Sequence, residues 1–121
     1  MAKTDALSQK YLRFLNLVSA IKGLPTFPAL DAVEERVLNG LAATWATGAR
    51  VTVLEAMELG ADTSPTTVHR RLKTLRQKGL IKFREDEDDN RIKYVMPTDL
   101  ATTYFAKLGQ CLDMATRART T

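Results

Sequence analysis

Residues 64–97 constrain the fold more than any other stretch. Ser64-Pro65 reads as a helix start. Serine is a strong N-cap, and proline fits the first helical position, where its missing N–H has no intrahelical partner to lose. Val68, Leu72 and Leu75 follow at i, i+4 and i+7, one narrow inward stripe, and Gly79 stands where the helix, from about Pro65 to Lys78, should stop. Leu80, Ile81 and Phe83 begin a strand, and Ile92, Tyr94 and Met96 alternate in a second. Glu85 to Asn90 between them is polar enough for a hairpin tip.

A helix docked by one stripe leaves its opposite face free. At 100° per residue, Thr66, Arg70, Lys73 and Gln77 point away from the stripe, flanked by Thr67, His69 and Thr74. Arg71 and Arg76 lie nearer the stripe, where pairing within the chain competes with an outward role. The net charge is +4, but seven Lys and Arg fall between His69 and Arg84 with no acid among them. Five acids then run from Glu85 to Asp89. A concentrated basic patch fits a polyanion, and it also fits a solvated helix face.

The remaining segments read as helices. A first helix runs from about Thr4 to Ile21, with Leu7, Tyr11, Phe14, Leu15, Val18 and Ile21 on one side, and Gly23, Pro25 and Pro28 break it. Its stripe must bury somewhere, and a partner copy is a candidate. Asp31 and Glu34 have capping-box spacing ahead of Val33, Val37, Leu41 and Trp45. Thr52 and Glu55 repeat that spacing before Ala56, Met57 and Leu59, with Gly60 as a stop. The linker Ala61-Asp62-Thr63 then leads to Ser64. Pro97-Thr98 opens a last helix to about Arg117, along a seam of Ala101, Tyr104, Phe105, Leu108, Cys111, Leu112 and Ala115.

Two helices joined by a tight turn, the second one basic, make a helix-turn-helix, and a hairpin after it makes the winged variant. The expected fold is mainly α (α+β), with a two-stranded β wing. It divides into an N-terminal helix segment over 1–24, a winged core over 30–97 and a C-terminal helix segment over 98–118. An α-helix fits the major groove of DNA, where Arg and Lys pair with guanine edges and Thr touches a thymine methyl or a phosphate.

The stretch from Ser64 to Ile81, with Asp89-Asn-Arg91 and Val95-Met-Pro-Thr98, resembles the multiple-antibiotic-resistance regulator (MarR) family over roughly Leu30 to Leu108. The resemblance implies a homodimeric transcriptional regulator, held together by the end segments 1–24 and 98–118, that binds a pseudo-palindromic double-stranded operator. It implies DNA contacts from Pro65, Thr66, Thr67, His69, Arg70 and Lys73, with Arg91 as the wing arginine and Asp89 as the acid orienting it. It also suggests a small-molecule effector, of unknown identity.

The expected DNA-binding set is therefore Ser64, Pro65, Thr66, Thr67, His69, Arg70, Lys73, Arg84, Arg91 and Lys93. The acidic run leaves the wing Arg84, Arg91 or Lys93 as its means of touching phosphate. The expected dimer interface is Leu7, Tyr11, Phe14, Leu15, Val18, Tyr104, Leu108, Cys111 and Leu112. A winged-helix module binding another protein, or a DNA-binding part of replication or plasmid maintenance, uses the same features.

There is no glycine-rich phosphate loop, nucleophile elbow or paired His/carboxylate set, so an enzyme is not expected, nor a metal or cofactor. His69 is the single histidine, with no second ligand near it. Cys111 is the single cysteine, on the apolar face of its helix, where a small buried hydrophobe is the default over a redox sensor. The lone thiol, the absence of a signal-peptide pattern and of an apolar run near ~20 residues set a cytoplasmic expectation.

Overall fold

The computed structural model describes residues 2–60 and 62–117. Ala61 of the expected linker and position 118 of the expected C-terminal segment lie outside the described residues. The elements are α1 (Ala2–Lys22), α2 (Ala32–Trp45), β1 (Val51–Thr52), α3 (Val53–Ala56), a 3-10 turn (Met57–Gly60), α4 (Pro65–Gln77), β2 (Ile81–Glu85), β3 (Lys93–Pro97) and α5 (Asp99–Thr116). They form two compact units, one over Leu30–Ala101 and one built from the segments before and after it.

The unit Leu30–Ala101 assembles from local signals. Both capping boxes are present. Asp31 accepts the Glu34 N–H at 2.8 Å while Glu34 accepts the Asp31 N–H at 2.9 Å, and Thr52 and Glu55 do the same for α3. Helix α4 ends in the left-handed glycine motif. Gly79 has φ +81°, its N–H reaches Arg76 O, and the Leu80 N–H reaches Leu75 O. Thr98 ties the next helix to this end, since its hydroxyl donates to Gly79 O at 2.6 Å and accepts the Ala101 N–H.

The core of this unit is Val37, Leu38 and Leu41 from α2, Val68, Leu72 and Leu75 from α4, and Val51, Ala56, Leu80, Ile81 and Val95. At Gly60 an added Cβ would overlap Val68 Cγ2, so the absence of a side chain is what lets the 3-10 turn lie against α4.

The sheet has three antiparallel strands in the order β1-β3-β2. The wing hairpin is two-stranded as expected, and β1 adds a third strand that pairs Val51 with Val95. The phase of β3 differs from the alternation of Ile92, Tyr94 and Met96. The fully buried residue is Val95, facing Val51 and Phe83 across the ladder, while Ile92 lies outside the strand and exposed. Neighbouring strands set the inner face, and periodicity within one strand does not carry that information. On α2 the buried set is Glu34, Val37, Leu38 and Leu41, with Val33 and Trp45 half-buried. The Trp45 indole N–H donates to Val95 O at 3.0 Å.

Glu34 is the one buried charged residue among those described, 2% exposed. Its carboxylate accepts from Thr74 Oγ1 at 2.6 Å, Lys78 Nζ at 2.6 Å and the Asp31 N–H. Beside it Arg71 Nε lies 2.9 Å from Asp31 Oδ2, an ion pair without hydrogen-bond alignment. Burial alone would push the Glu34 carboxyl up. The bonds from Lys78, Thr74 and Asp31 outweigh it and hold the pKa below its usual value.

In the other unit, Phe27 stacks on Tyr104 with centroids 4.9 Å apart, and Tyr104 meets Phe105 edge-on. Helix α1 has no buried residue. Tyr104 and Cys111 were placed in the dimer seam, but both are buried within the chain, at 2% and 1% exposure, so they offer a partner little surface. Phe14, Val18 and Leu108 are half-buried, while Leu7, Tyr11, Leu15 and Leu112 are exposed.

Glu34→Gln is expected to lower stability by about 1–3 kcal/mol near pH 7, because a neutral amide replaces the carboxylate that accepts from the Lys78 ammonium and the Thr74 hydroxyl. The depressed pKa means that the folded chain binds fewer protons than the unfolded chain in acid. The Glu34 contribution is therefore complete above about pH 4.5 and is lost as pH falls through the folded pKa. Urea midpoints at neutral and acid pH check both points, since the gap between wild type and variant should narrow in acid.

Candidate nucleic-acid interface

Helix α4 is held on two sides. Val68, Leu72 and Leu75 enter the core, and Arg71, Thr74 and Lys78 turn to the start of α2. The side that remains carries Thr66, Arg70, Lys73 and Gln77, all exposed. At its N-terminus Ser64 Oγ accepts the Thr67 N–H at 3.2 Å and donates to Thr67 Oγ1 at 2.9 Å, so these two hydroxyls are engaged with each other. Pro65 and Thr66 stand exposed beside them.

Between α4 and the sheet runs an open groove of about 580 Å³, lined by Val53, His69, Lys73, Arg76, Gln77, Phe83 and Lys93. It holds three Lys and Arg and no acid. The Arg76 guanidinium lies over the Phe83 ring at 5.2 Å, which places it at the groove wall.

The hairpin tip is built by its acids. Asp86 accepts the N–H groups of Asp88 and Asp89 at 3.0 and 3.1 Å and the Tyr94 hydroxyl at 3.0 Å. The Asp88 N–H and the Tyr94 hydroxyl hold the Asp86 carboxyl low, and bonding to Asp86 raises the Tyr94 phenol. The Arg50 guanidinium sits 4.3 Å over the Tyr94 ring. Asp89 takes Arg91 through Nε and Nη2, both at 3.0 Å, and through the Arg91 N–H at 3.1 Å. This mutual bond lowers the Asp89 pKa and raises that of Arg91. Two of the five acids are thus spent on shaping the tip, and Glu85, Glu87 and Asp88 are exposed.

The predicted residues do not all come together. Arg84 pairs with Tyr94 and Lys93 with Glu85 in the ladder, so Arg84 and Lys93 lie on opposite faces of the hairpin. Lys93 joins the groove beside α4, and Arg84 joins Arg50, Tyr94 and Met96 in a separate cleft. His69, Lys73 and Lys93 share the groove, while Arg91 stands at the tip with its guanidinium exposed. Sequence reasoning missed Val53 and Phe83 as groove walls, and Arg50. Arg50 precedes a two-residue strand, too short to show a period. Among the described residues no group of three or more His, Cys, Asp or Glu could hold a metal ion, and no helix is long and apolar enough to cross a membrane.

No family model and no curated sequence matches the chain. Solved structures do. The heme complex of the heme sensor PefR from Streptococcus agalactiae superposes with a TM-score of 0.59 at 16% identity, over 93% of this chain and 73% of that one. The complex of S. aureus MepR with DNA gives 0.52 at 17% identity, over 93% and 77%. A probable transcriptional regulator from Pseudomonas aeruginosa gives 0.54 at 20% identity, over 90% and 78%. The chain shares the winged-helix fold of these structures.

Tyr94→Phe keeps the ring under Arg50 and removes the bond to Asp86. The amides of Asp88 and Asp89 should then exchange faster, while core amides such as that of Leu72 stay as protected as in wild type. Hydrogen exchange by NMR reads both sets.

Proposed function

We propose that this chain is a sequence-specific, double-stranded-DNA-binding transcriptional regulator that works as a homodimer. The observation that carries the reading is the acid-free basic groove, continuous from the exposed side of α4 to Lys93 on β3. An α-helix inserted in a major groove would bring Thr66, Arg70 and Lys73 to base edges, with phosphates at the helix N-terminus and along the groove. Arg91, oriented by Asp89, would serve the flanking backbone or minor groove. Arg84, on the other face of the hairpin, takes no part in that contact.

Dimerisation is supported by Leu7, Tyr11, Leu12 and Leu15 on α1 and Leu112 on α5, all more than 40% exposed. Apolar stripes of this extent normally mark a contact surface. Twofold symmetry would set two α4 helices in successive major grooves about 34–36 Å apart, on a pseudo-palindromic site. The S. aureus neighbour is seen with DNA and the S. agalactiae neighbour with heme. Both support a DNA-binding regulator open to a small-molecule effector, which the reading leaves unassigned.

Fluorescence anisotropy on a random duplex should show affinity falling by roughly 10³–10⁵ between about 50 and 200 mM salt, for 6–10 phosphate contacts. Flat or absent binding overturns the reading. On a duplex selected from a random library, Arg70→Ala should cost about 1–3 kcal/mol and relax the preference at one base position. Tyr11, 61% exposed, packs against nothing in its own core, so Tyr11→Asp should give the mass of one chain by light scattering where wild type gives two, while core amides of the Leu30–Ala101 unit such as that of Leu72 stay protected.

A further inference from the structure

Leu54 is the most exposed large apolar side chain among the described residues, at 77%. It stands in the first turn of α3, whose inward position is taken by Ala56. Ile92, 38% exposed, lies just before β3. Together with Thr52 and Val53 they line an open cleft of about 380 Å³, and its charged members are Arg91 and Lys93. No acid lines the cleft; of those around it, Glu55 accepts the Thr52 N–H in its capping box, Asp89 holds Arg91, and Glu85 stands across the ladder from Lys93. Val53 and Lys93 also line the groove beside α4, so the two depressions form one surface.

We infer that Leu54 and Ile92 make an apolar contact with the deoxyribose edges of the DNA backbone, next to phosphates held by Arg91 and Lys93. The inference rests on the DNA-binding reading and adds a contact that charge alone does not reveal. A nucleic-acid backbone alternates anionic phosphate with the apolar edge of a sugar. The cleft presents the complementary pattern, apolar side chains flanked by two cations. An apolar protein segment would fill the same cleft but would gain nothing from two flanking cations unless it carried acids of its own.

The two kinds of contact have different salt signatures. A cation on a phosphate releases counterions and contributes to the slope of log affinity against log salt, whereas an apolar contact shifts the line without tilting it. Full-length wild type, Leu54→Ala, Ile92→Ala and Lys93→Ala are titrated into one duplex over a salt series. Leu54→Ala and Ile92→Ala should each bind about three- to tenfold more weakly at every salt, parallel to wild type. Lys93→Ala should lower the slope by about one.

Unchanged affinity in both apolar variants overturns the inference while leaving DNA binding intact, as does a changed slope in either. A drop in oligomeric mass for Leu54→Ala would assign the cleft to a second copy and also overturn it. A wild type that fails to bind duplex removes the DNA-binding reading itself, and the inference with it. Circular dichroism confirms folding of each variant, and Ile92→Ala carries the test alone should Leu54→Ala lose structure.

Discussion

The buried carboxylate of Glu34 is the interaction on which the orientation of α4 depends. A charge at 2% exposure is costly unless every lone pair finds a donor, and here a backbone N–H, a hydroxyl and an ammonium supply them. Two of those donors, Thr74 on α4 and Lys78 at its C-cap, come from this helix, and Arg71 on the same side faces Asp31. The spacing 71, 74, 78 is a helical stripe beside the apolar stripe 68, 72, 75. Apolar packing tolerates small rotations of a helix, but two directed bonds to one carboxylate, with an ion pair beside them, do not. With both stripes engaged, Thr66, Arg70, Lys73 and Gln77 are the residues left facing out.

The same economy governs the hairpin. Five consecutive acids beside a basic helix look repulsive to a polyanion when read as charge. In the folded chain Asp86 closes the tip on two N–H groups and the Tyr94 hydroxyl, and Asp89 orients Arg91. Each of these carboxylates needs its charge to hold its donors, which is why both have lowered pKa values. The acidic run is a scaffold for presenting one arginine as well as a source of negative field.

Local signals made much of this legible in advance. Capping boxes at Asp31 and Thr52, the Ser64-Pro65 start and Gly79 act within one turn of chain, and each lies where spacing placed it. The rest depended on residues distant in sequence. Glu34 was recognisable as a capping partner of Asp31, but its burial follows from Thr74 and Lys78, some forty positions away. The alternation of Ile92, Tyr94 and Met96 marks one face of β3, whereas Val51 and Phe83 bury the other through Val95. Arg84 and Lys93 looked equivalent as wing cations until the register put them on opposite faces. Tyr104 and Cys111 satisfied a helical seam, yet Phe27 already covers Tyr104 within the chain.

Helix α1 shows the limit of single-chain accounting. It runs 21 residues with no buried side chain, although Leu7, Tyr11, Leu12 and Leu15 lie along it. An isolated helix of this length is marginal in water, and most helical stability in proteins comes from packing an apolar face. One long-range bond, from Arg13 to Ala115 O at 3.5 Å, is at the outer limit of hydrogen-bond distance and contributes little. The physical requirement is therefore a further apolar surface. A second copy of the chain supplies one by symmetry, because the exposed residues on α1 and α5 of each copy become the cover for the other. On this argument folding of α1 and assembly are one equilibrium, and dilution should melt the helix as it separates the chains.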